Sequence, residues 1–311
     1  MQVQVLKESL PITFEVSKKQ FNALASFLAN QDSIHTQQAY YFDLKDFFNF
    51  LVIKDFSQIS KEHIIAYKNN LKSNYAISTL VRRLACLRSF FNYLDSLNLL
   101  SSEGNPMRFI KIPTLSNEGK TPGCSDDEVA KILDIAKSTR FRDYLILELL
   151  FYLGFRSSSL ANIKIKDLIQ EEGIDVIQYI GKGNKVNKVP LQSFIRADIN
   201  EYMRASRRDM TDPEAYLFVS ISNKDANCKY NRPLNRASIR DLIKKYADLA
   251  NIKIPNFTTH SARVVVCNQA IEKKEPDSAI MAFLGWSTPN MINRYTRRRK
   301  LRNSSAFSIR Y

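Results

Sequence analysis

The chain has 311 residues, 44% of them hydrophobic and 25% charged, a composition typical of a soluble globular protein with about two domains. No run approaches the ~18 apolar residues of a membrane-spanning helix, and the first residues lack the long apolar segment of a secretory signal. The formal net charge is +15, which makes nucleic acid the leading candidate partner and a membrane surface the alternative.

The amino-terminal part, residues 1–105, is predicted to be a small helical bundle. Apolar residues three and four apart predict one helix capped by Thr36 and a second that begins at Ser60. A third helix is predicted to begin at Ser78 or Thr79. Its polar side carries three basic residues, Arg82, Arg83 and Arg88. That basic side is either a solvated surface or a contact with DNA.

A linker is predicted after this bundle. Three of the eight glycines and three of the ten prolines lie in the window 104–123. Such a concentration is typical of an exposed connection between domains. We therefore expect a linker over residues 106–122 and a second domain over residues 123–311 that ends in a basic tail.

The second domain is predicted to be mainly helical. Ser125 and Glu128 have capping-box spacing before one helix, and another helix runs from about Phe141 to a stop at Gly154. Further helices are predicted near 194–206, 236–250, 260–273, 277–284 and 289–297.

A β-hairpin is predicted inside this domain. The alternating segments 174–180 and 186–191 flank a turn signal, Gly181-Lys182-Gly183-Asn184. The predicted fold class is therefore mainly α with a small β-sheet or hairpin: a helical domain followed by an α+β domain.

Two basic side chains occupy positions suited to phosphate binding. Arg156 follows the helix that stops at Gly154, where its rigid fork of donors could point into a cleft. Lys182 lies at the predicted hairpin tip, from which an ammonium could reach a DNA groove and give up a proton. Taken alone, each residue is better explained as a solvated surface side chain.

Four further residues, in the carboxyl-terminal part of the chain, are candidate catalytic residues. His260 and Arg263 are three residues apart at a helix start, so both lie on one face. Trp286, the only tryptophan, precedes Tyr295 by nine residues. Tyr295 is surrounded by arginines, which lower the pKa of a phenol and favour its attack on a phosphate. The alternatives are a structural histidine and an ordinary tyrosine of an amphipathic helix.

The ordered series resembles the tyrosine recombinase (phage integrase) family, whose pattern is Arg, Lys, His-x-x-Arg, His or Trp, then Tyr. The segments LLFYLGFRSSSLANIKIKDL, IQYIGKGNKVNKVPL, FTTHSARVVVCNQAI and FLGWSTPNMINRYTRRR look like its four boxes, in order. ISTLVRRLACLRSFFNYL is similar to a helix of the family's SAM-like core-binding domain. The proportions look closest to the Xer-like simple recombinases.

Two positions depart from the family's pattern. Ser159 stands where the family usually has an acidic residue that helps to position the first arginine. We therefore expect Arg156 to be oriented by another group. Trp286 stands where most members have histidine, and an indole N–H can donate a hydrogen bond but cannot shuttle a proton.

The resemblance implies a mechanism. Tyr295 would attack the scissile phosphate and form a 3′-phosphotyrosine, while Arg156 and Arg263 bind the non-bridging oxygens. His260 would assist proton transfer, Trp286 would donate a hydrogen bond, and Lys182 would protonate the 5′ oxygen. Neither ATP nor Mg²⁺ nor any other cofactor is expected.

The resemblance also implies partners. The substrate would be double-stranded DNA, gripped by both domains, and four protomers would act on two sites through a Holliday junction, with a second recombinase or activator as a possible addition. Seven residues are candidate DNA contacts: Ser78, Thr79, Arg82, Arg83, Arg88, Lys185 and Lys188. The basic tail beyond Tyr295 is either a solvated charge run or a segment that passes to a neighbouring protomer.

Other readings remain at this level. A type IB topoisomerase-like nicking enzyme would use the same residue types. A non-catalytic DNA-binding protein derived from a recombinase would bind DNA without forming a covalent protein–DNA adduct. A basic helical protein could match the motifs by chance. The four cysteines form no CxxC pair and the chain has three histidines, which argues against a zinc site. Because nothing suggests a set of disulfides, the expected location is the reducing cytoplasm, in association with the nucleoid.

Overall fold

The structure is a computed structural model that describes residues 18–51, 55–115, 121–181, 185–206, 208–220 and 232–295, with side chains as far as Asn293. The chain separates into two compact units, residues 1–116 and 117–311. No helix in these described ranges is long and apolar enough to cross a membrane.

The amino-terminal unit is helical. Its elements are α1 (Lys18–Ala29), α2 (Ile34–Leu51), a short 3₁₀ helix (Phe56–Gln58), α3 (Lys61–Asn74) and α4 (Ile77–Ser96). Aromatic rings fill the space between them: Phe90 of α4 lies edge-on to Phe27 of α1 at 5.2 Å and to Phe56 at 5.6 Å between centroids. Edge-to-face pairs of this kind add to the stabilisation from burial itself.

Two of the predicted caps in this unit are wrong. α2 begins at Ile34, with the Gln37 amide donating to the Ser33 carbonyl, so Thr36 lies inside its first turn. α4 begins at Ile77, after an extended Ala76. Because the last extended residue before a helix is its cap, the predicted starting residues, Ser78 and Thr79, also fall within a first turn. Ser60 does precede α3, as predicted.

The carboxyl-terminal unit contains the predicted helices and hairpin. Its elements are α5 (Asp126–Thr139), α6 (Phe141–Leu153), α7 (Ser157–Ala161), a 3₁₀ helix (Ile165–Asp167), β1 (Leu168–Glu171), β2 (Ile174–Ile180), β3 (Val186–Pro190), α8 (Ser193–Ala205), α9 (Arg236–Leu249), α10 (Thr259–Glu272), α11 (Asp277–Leu284) and α12 (Asn290–Tyr295). The predicted capping box at the start of α5 is present.

The sheet has three antiparallel strands in the order β1-β2-β3. Leu168 pairs with Ile177, and Ile180 pairs with Val186 next to the hairpin turn. The two predicted strands are confirmed, and β1 is an addition. With four residues, two of them polar and exposed, β1 carries too short an alternation to be predicted from sequence.

α6 is the central helix of this unit. It is apolar on nearly every side and packs against α5, α8 and α10. It ends at Gly154, which adopts a left-handed conformation with φ +62°. The end of this buried helix therefore fixes where the chain toward Arg156 emerges.

A carboxyl group is buried within α6. Glu148 is fully buried, and the Tyr144 hydroxyl lies 2.6 Å from its Oε1 and 2.9 Å from Oδ2 of Asp198 on α8. Burial raises the pKa of Glu148 to about 7, with a further contribution from the Asp198 charge. One hydroxyl proton cannot serve two carboxylates, and Glu148 therefore holds its proton to a higher pH than an ordinary glutamate does.

We expect Glu148→Gln to reduce the loss of stability on going from pH 5 to pH 8. A folded-state pKa raised from 4.5 to about 7 means that the folded protein holds the proton more tightly, so stability is lost as pH rises through this interval. Urea unfolding of both proteins at each pH measures the effect. Equal losses in the two proteins would show that Glu148 keeps its ordinary pKa.

Candidate active site

Three helix ends bring the predicted arginines, histidine and tryptophan together. Arg156 follows α6, His260 and Arg263 lie in the first turn and a half of α10, and Trp286 follows α11. The Arg263 guanidinium lies 5.6 Å from the centre of the Trp286 ring. Arg156 Nη2 donates to the carbonyl oxygen of Gly285, next to Trp286, at 3.4 Å.

Arg263 connects the other two helix ends. Its side chain is 2% exposed, and it donates from Nη1 to the Gly154 carbonyl and from Nη2 to the Leu284 carbonyl at 2.6 Å. Carbonyls at helix C-termini have no intrahelical donor and carry partial negative charge, so a guanidinium is well suited to them. Both helices end in a left-handed glycine, Gly154 and Gly285.

Arg156 is oriented without an acidic partner, as expected. The buried Ser159 hydroxyl lies 3.5 Å from the Ile180 carbonyl of β2, which accepts its hydrogen bond. The Gly285 carbonyl is instead the acceptor that holds Arg156. Nη1 of Arg156 is buried and has no hydrogen-bond partner among the described residues. The guanidinium therefore has a donor left for an anionic ligand.

His260 lies at the amino-terminal end of α10, where Thr258 caps the helix by accepting a hydrogen bond from the His260 amide at 3.3 Å. The residue is accessible to solvent, yet surrounding protein atoms lower the pKa of the ring. The positive charges of Arg263 and Arg156 lower this pKa further. At neutral pH the imidazole is thus predominantly uncharged and able to accept a proton.

Two catalytic candidates, Lys182 and Tyr295, lie partly or wholly outside the described residues. Lys182 lies outside the described residues. Tyr295 is the last residue of α12, and its side chain lies outside the described ones, which end at Asn293. Trp286 is 7% exposed.

Tyr179 is a neighbour of this cluster that sequence reasoning missed. Its ring is buried edge-on against Phe155 at 5.0 Å. Burial raises the pKa of its phenol, while Arg263 and Arg156 act in the opposite direction. The alternation of β2 placed Tyr179 on the inward face but contained no signal that the two guanidiniums lie close to it.

The arginines predicted to contact DNA have partners within the amino-terminal unit. Arg82 pairs with Asp43 of α2, and Arg83 pairs with Asp46 and lies 4.2 Å from the centre of the Tyr75 ring.

The other candidates differ in how far they are engaged. Arg88 donates to the Ile110 carbonyl at 2.5 Å. Ser78 and Lys185 are exposed, Thr79 is half-buried, and Lys188 pairs with Glu171 of β1 at 2.7 Å.

Comparisons with known proteins place this cluster in a family. Residues 124–302 match the phage integrase family, and residues 22–96 match the phage integrase N-terminal SAM-like domain. A tyrosine recombinase of Pseudothermotoga lettingae is 28% identical over 269 residues, 85% of this chain and 87% of the relative. Tyrosine recombinase XerA of Pyrococcus furiosus is 29% identical over 223 residues, 72% of this chain and 71% of the relative.

Solved structures share the fold. XerH site-specific recombinase bound to palindromic difH substrate, in a post-cleavage complex, aligns with a TM-score of 0.72 at 17% identity, covering 99% of this chain and 93% of that chain. A lambda integrase tetramer bound to a Holliday junction aligns with a TM-score of 0.68 at 15% identity, covering 89% and 76%.

The chain therefore belongs to the phage integrase family, and the resemblance predicted from its motifs is confirmed. Its class is the tyrosine recombinases, DNA strand-transferring enzymes that cleave DNA at specific sites and rejoin it.

We expect Gly154→Ala to destabilise the carboxyl-terminal unit by about 1–3 kcal/mol more than Gly173→Ala. Both glycines have positive φ, so both substitutions carry backbone strain. A Cβ at Gly154 would lie 2.7 Å from Cδ2 of Leu284, whereas a Cβ at Gly173 meets nothing within 4 Å. Urea unfolding of the two variants measures the difference. Equal costs would show that Leu284 moves aside freely.

Proposed function

We propose that this protein is a site-specific recombinase in which Tyr295 is the nucleophile. The phenol oxygen forms a bond to the scissile phosphorus, and the bond from phosphorus to the 5′ oxygen breaks. His260 takes the phenol proton, and Lys182 gives a proton to the departing 5′ oxygen. The 3′-phosphotyrosine keeps the bond reactive, so a 5′ hydroxyl from another strand can reverse the step and join a new partner.

The convergence of Arg156 and Arg263 carries this proposal. Negative charge develops on the non-bridging oxygens as the tyrosine attacks, and preorganised guanidiniums stabilise that charge without reorganising. Arg263 is fixed by two helix ends, and Arg156 has a buried donor without a partner in the described residues. This arrangement favours a phosphate as the ligand over an uncharged substrate.

The state of His260 supports its assignment as the proton acceptor. Its lowered pKa keeps the ring neutral at neutral pH, which an acceptor requires. Trp286 contributes an indole N–H, so it is assigned to binding a phosphate oxygen and not to proton transfer.

The two parts of the chain have separate proposed roles. Residues 1–105 form a core-binding domain and residues 123–311 a catalytic domain, joined by the linker 106–122, and both contact the duplex. The exposure of Ser78 and Lys185 supports them as contacts. Arg82 would have to exchange Asp43 for a phosphate, and Arg83 and Arg88 are engaged within their own unit.

We propose assembly as a homotetramer on two DNA sites, acting in the cytoplasm on the nucleoid. The lambda integrase tetramer on a Holliday junction, whose fold this chain shares, supports this arrangement. In some recombination pathways a second recombinase or an activator would join this assembly.

The nucleophile is tested with a nicked site. DNA that the protein protects from nuclease is synthesised with a nick beside the presumed cleavage point and incubated with the protein in EDTA. We expect a covalent adduct on a denaturing gel, absent in Tyr295→Phe. Protection without any adduct, with candidate partner recombinases also added, would favour a non-catalytic DNA-binding protein. Relaxation of plasmid lacking the site would favour a topoisomerase.

His260 also predicts the pH dependence of cleavage. Because burial and the two arginines lower its pKa from the ordinary value of 6.5, the rate of adduct formation is expected to fall with a midpoint below pH 6.5. His260→Gln should be slower by about 10²–10⁴-fold and should lose this acid limb. His35→Gln, at an exposed residue of the amino-terminal unit, is the matched control. An unchanged acid limb in His260→Gln would assign the titration to another group.

A further inference from the structure

A cavity of about 790 Å³ adjoins Arg156 within the carboxyl-terminal unit. It lies alongside the end of β2, next to α7 and the 3₁₀ helix that follows. The side chains on which the argument rests are Arg156, Ser158, Lys164, Lys166, Gln178 and Tyr216. Its size is within the range of sites that hold a small organic ligand.

One wall of the cavity is the edge of β2 at its carboxyl-terminal end, where hydrogen-bonding groups are available. β1 pairs with β2 only as far as Ile177, so Gln178–Ile180 pair with β3 alone. The Gln178 side chain is half-buried, and its side-chain amide makes no hydrogen bond to any residue that the structure describes. An amide presents one donor and one acceptor side by side, which matches the edge of a nucleobase.

The two lysines of the cavity share one carboxylate partner. The Lys164 and Lys166 ammonium groups lie 2.8 and 2.6 Å from the two carboxylate oxygens of Glu214. Lys164 also lies 5.3 Å from the centre of the Tyr216 ring. The Asp167 carboxylate also lines the cavity, so two carboxylates face the two ammonium charges. The lining therefore offers amide and aromatic surface next to the one guanidinium of Arg156. This pattern fits a base with a single phosphate better than a run of phosphates.

We propose that this cavity binds the nucleotide on the 3′ side of the phosphate held by Arg156, with its base unstacked from the duplex. The inference rests on the proposed function, which assigns that phosphate to Arg156. Taking a base out of the stack costs free energy, and it costs least when the base is already single-stranded. Cleavage makes this nucleotide a strand end, because the bond that breaks is the one to its 5′ oxygen.

The base contact is assigned to Gln178. A glutamine amide pairs bidentately with adenine, so adenine is the favoured base, with the Tyr216 ring as apolar support. The cavity would thereby hold the end of the departing strand until it is joined to its new partner.

Deoxyadenosine 5′-monophosphate is the probe, because its phosphate and base have this connectivity. Its affinity and that of inorganic phosphate are measured by calorimetry on the full chain and three variants. We expect the nucleotide to bind more tightly than phosphate. Gln178→Leu should lower nucleotide affinity about five- to tenfold and leave phosphate affinity unchanged. Gln170→Leu, at an exposed position of β1, should change neither.

Ser158→Phe is the third variant, because a ring at this position fills the cavity and should also weaken nucleotide binding selectively. Thermal melting verifies that each variant is folded. Equal affinity for nucleotide and phosphate, or nucleotide binding that neither Gln178→Leu nor Ser158→Phe weakens, would overturn the proposal. The calorimetric titration tests the cavity and needs neither a recombination site nor cleavage. The covalent-adduct assay tests Tyr295 and does not depend on Gln178. Failure of the cavity and failure of the proposed function are therefore distinguishable.

Discussion

The Arg263 guanidinium, bound between two helix ends, is the interaction on which the rest of the site depends. A buried charge is costly unless its hydrogen bonds are made, and helix-terminal carbonyls are equally costly when left without donors. Arg263 meets both demands at once, at Gly154 of α6 and Leu284 of α11. A lysine could not replace it, because an ammonium lacks the planar fork that reaches two carbonyls in fixed directions.

The positions of the neighbouring groups follow from this connection. The end of α6 fixes where the chain emerges toward Arg156, and the end of α11 presents the Gly285 carbonyl that orients its guanidinium. The same charge lies over the Trp286 ring and adds to the effect of burial in lowering the pKa of His260. One side chain thus both holds the site together and sets its electrostatics, so substitutions there would alter folding and chemistry together.

Much of this arrangement was predictable because its signals are local. Gly154 marked the end of a helix, Ser125 marked the start of another, and the Gly-rich turn marked the hairpin. The pairing of Arg82 with Asp43 was not predictable, because these residues are 39 positions apart and meet only when α2 packs on α4. A basic helix face in a sequence therefore overstates the charge available to DNA when acids on a neighbouring helix face it. The Gly285 carbonyl was missed for a related reason: a backbone acceptor has no residue type that marks it.

Ser159 shows how the change at one position bears on the whole site. Its partner is the Ile180 carbonyl, which can only accept, so the Ser159 hydroxyl supplies a donor that an ionised carboxylate would lack. A carboxylate would also place negative charge beside the phosphate proposed for Arg156. With serine this position carries no charge, and Arg156 is oriented instead by its hydrogen bond to the Gly285 carbonyl. A backbone carbonyl thus takes the place of the acid as the acceptor for Arg156, and Nη1 of Arg156 keeps no hydrogen-bond partner among the described residues.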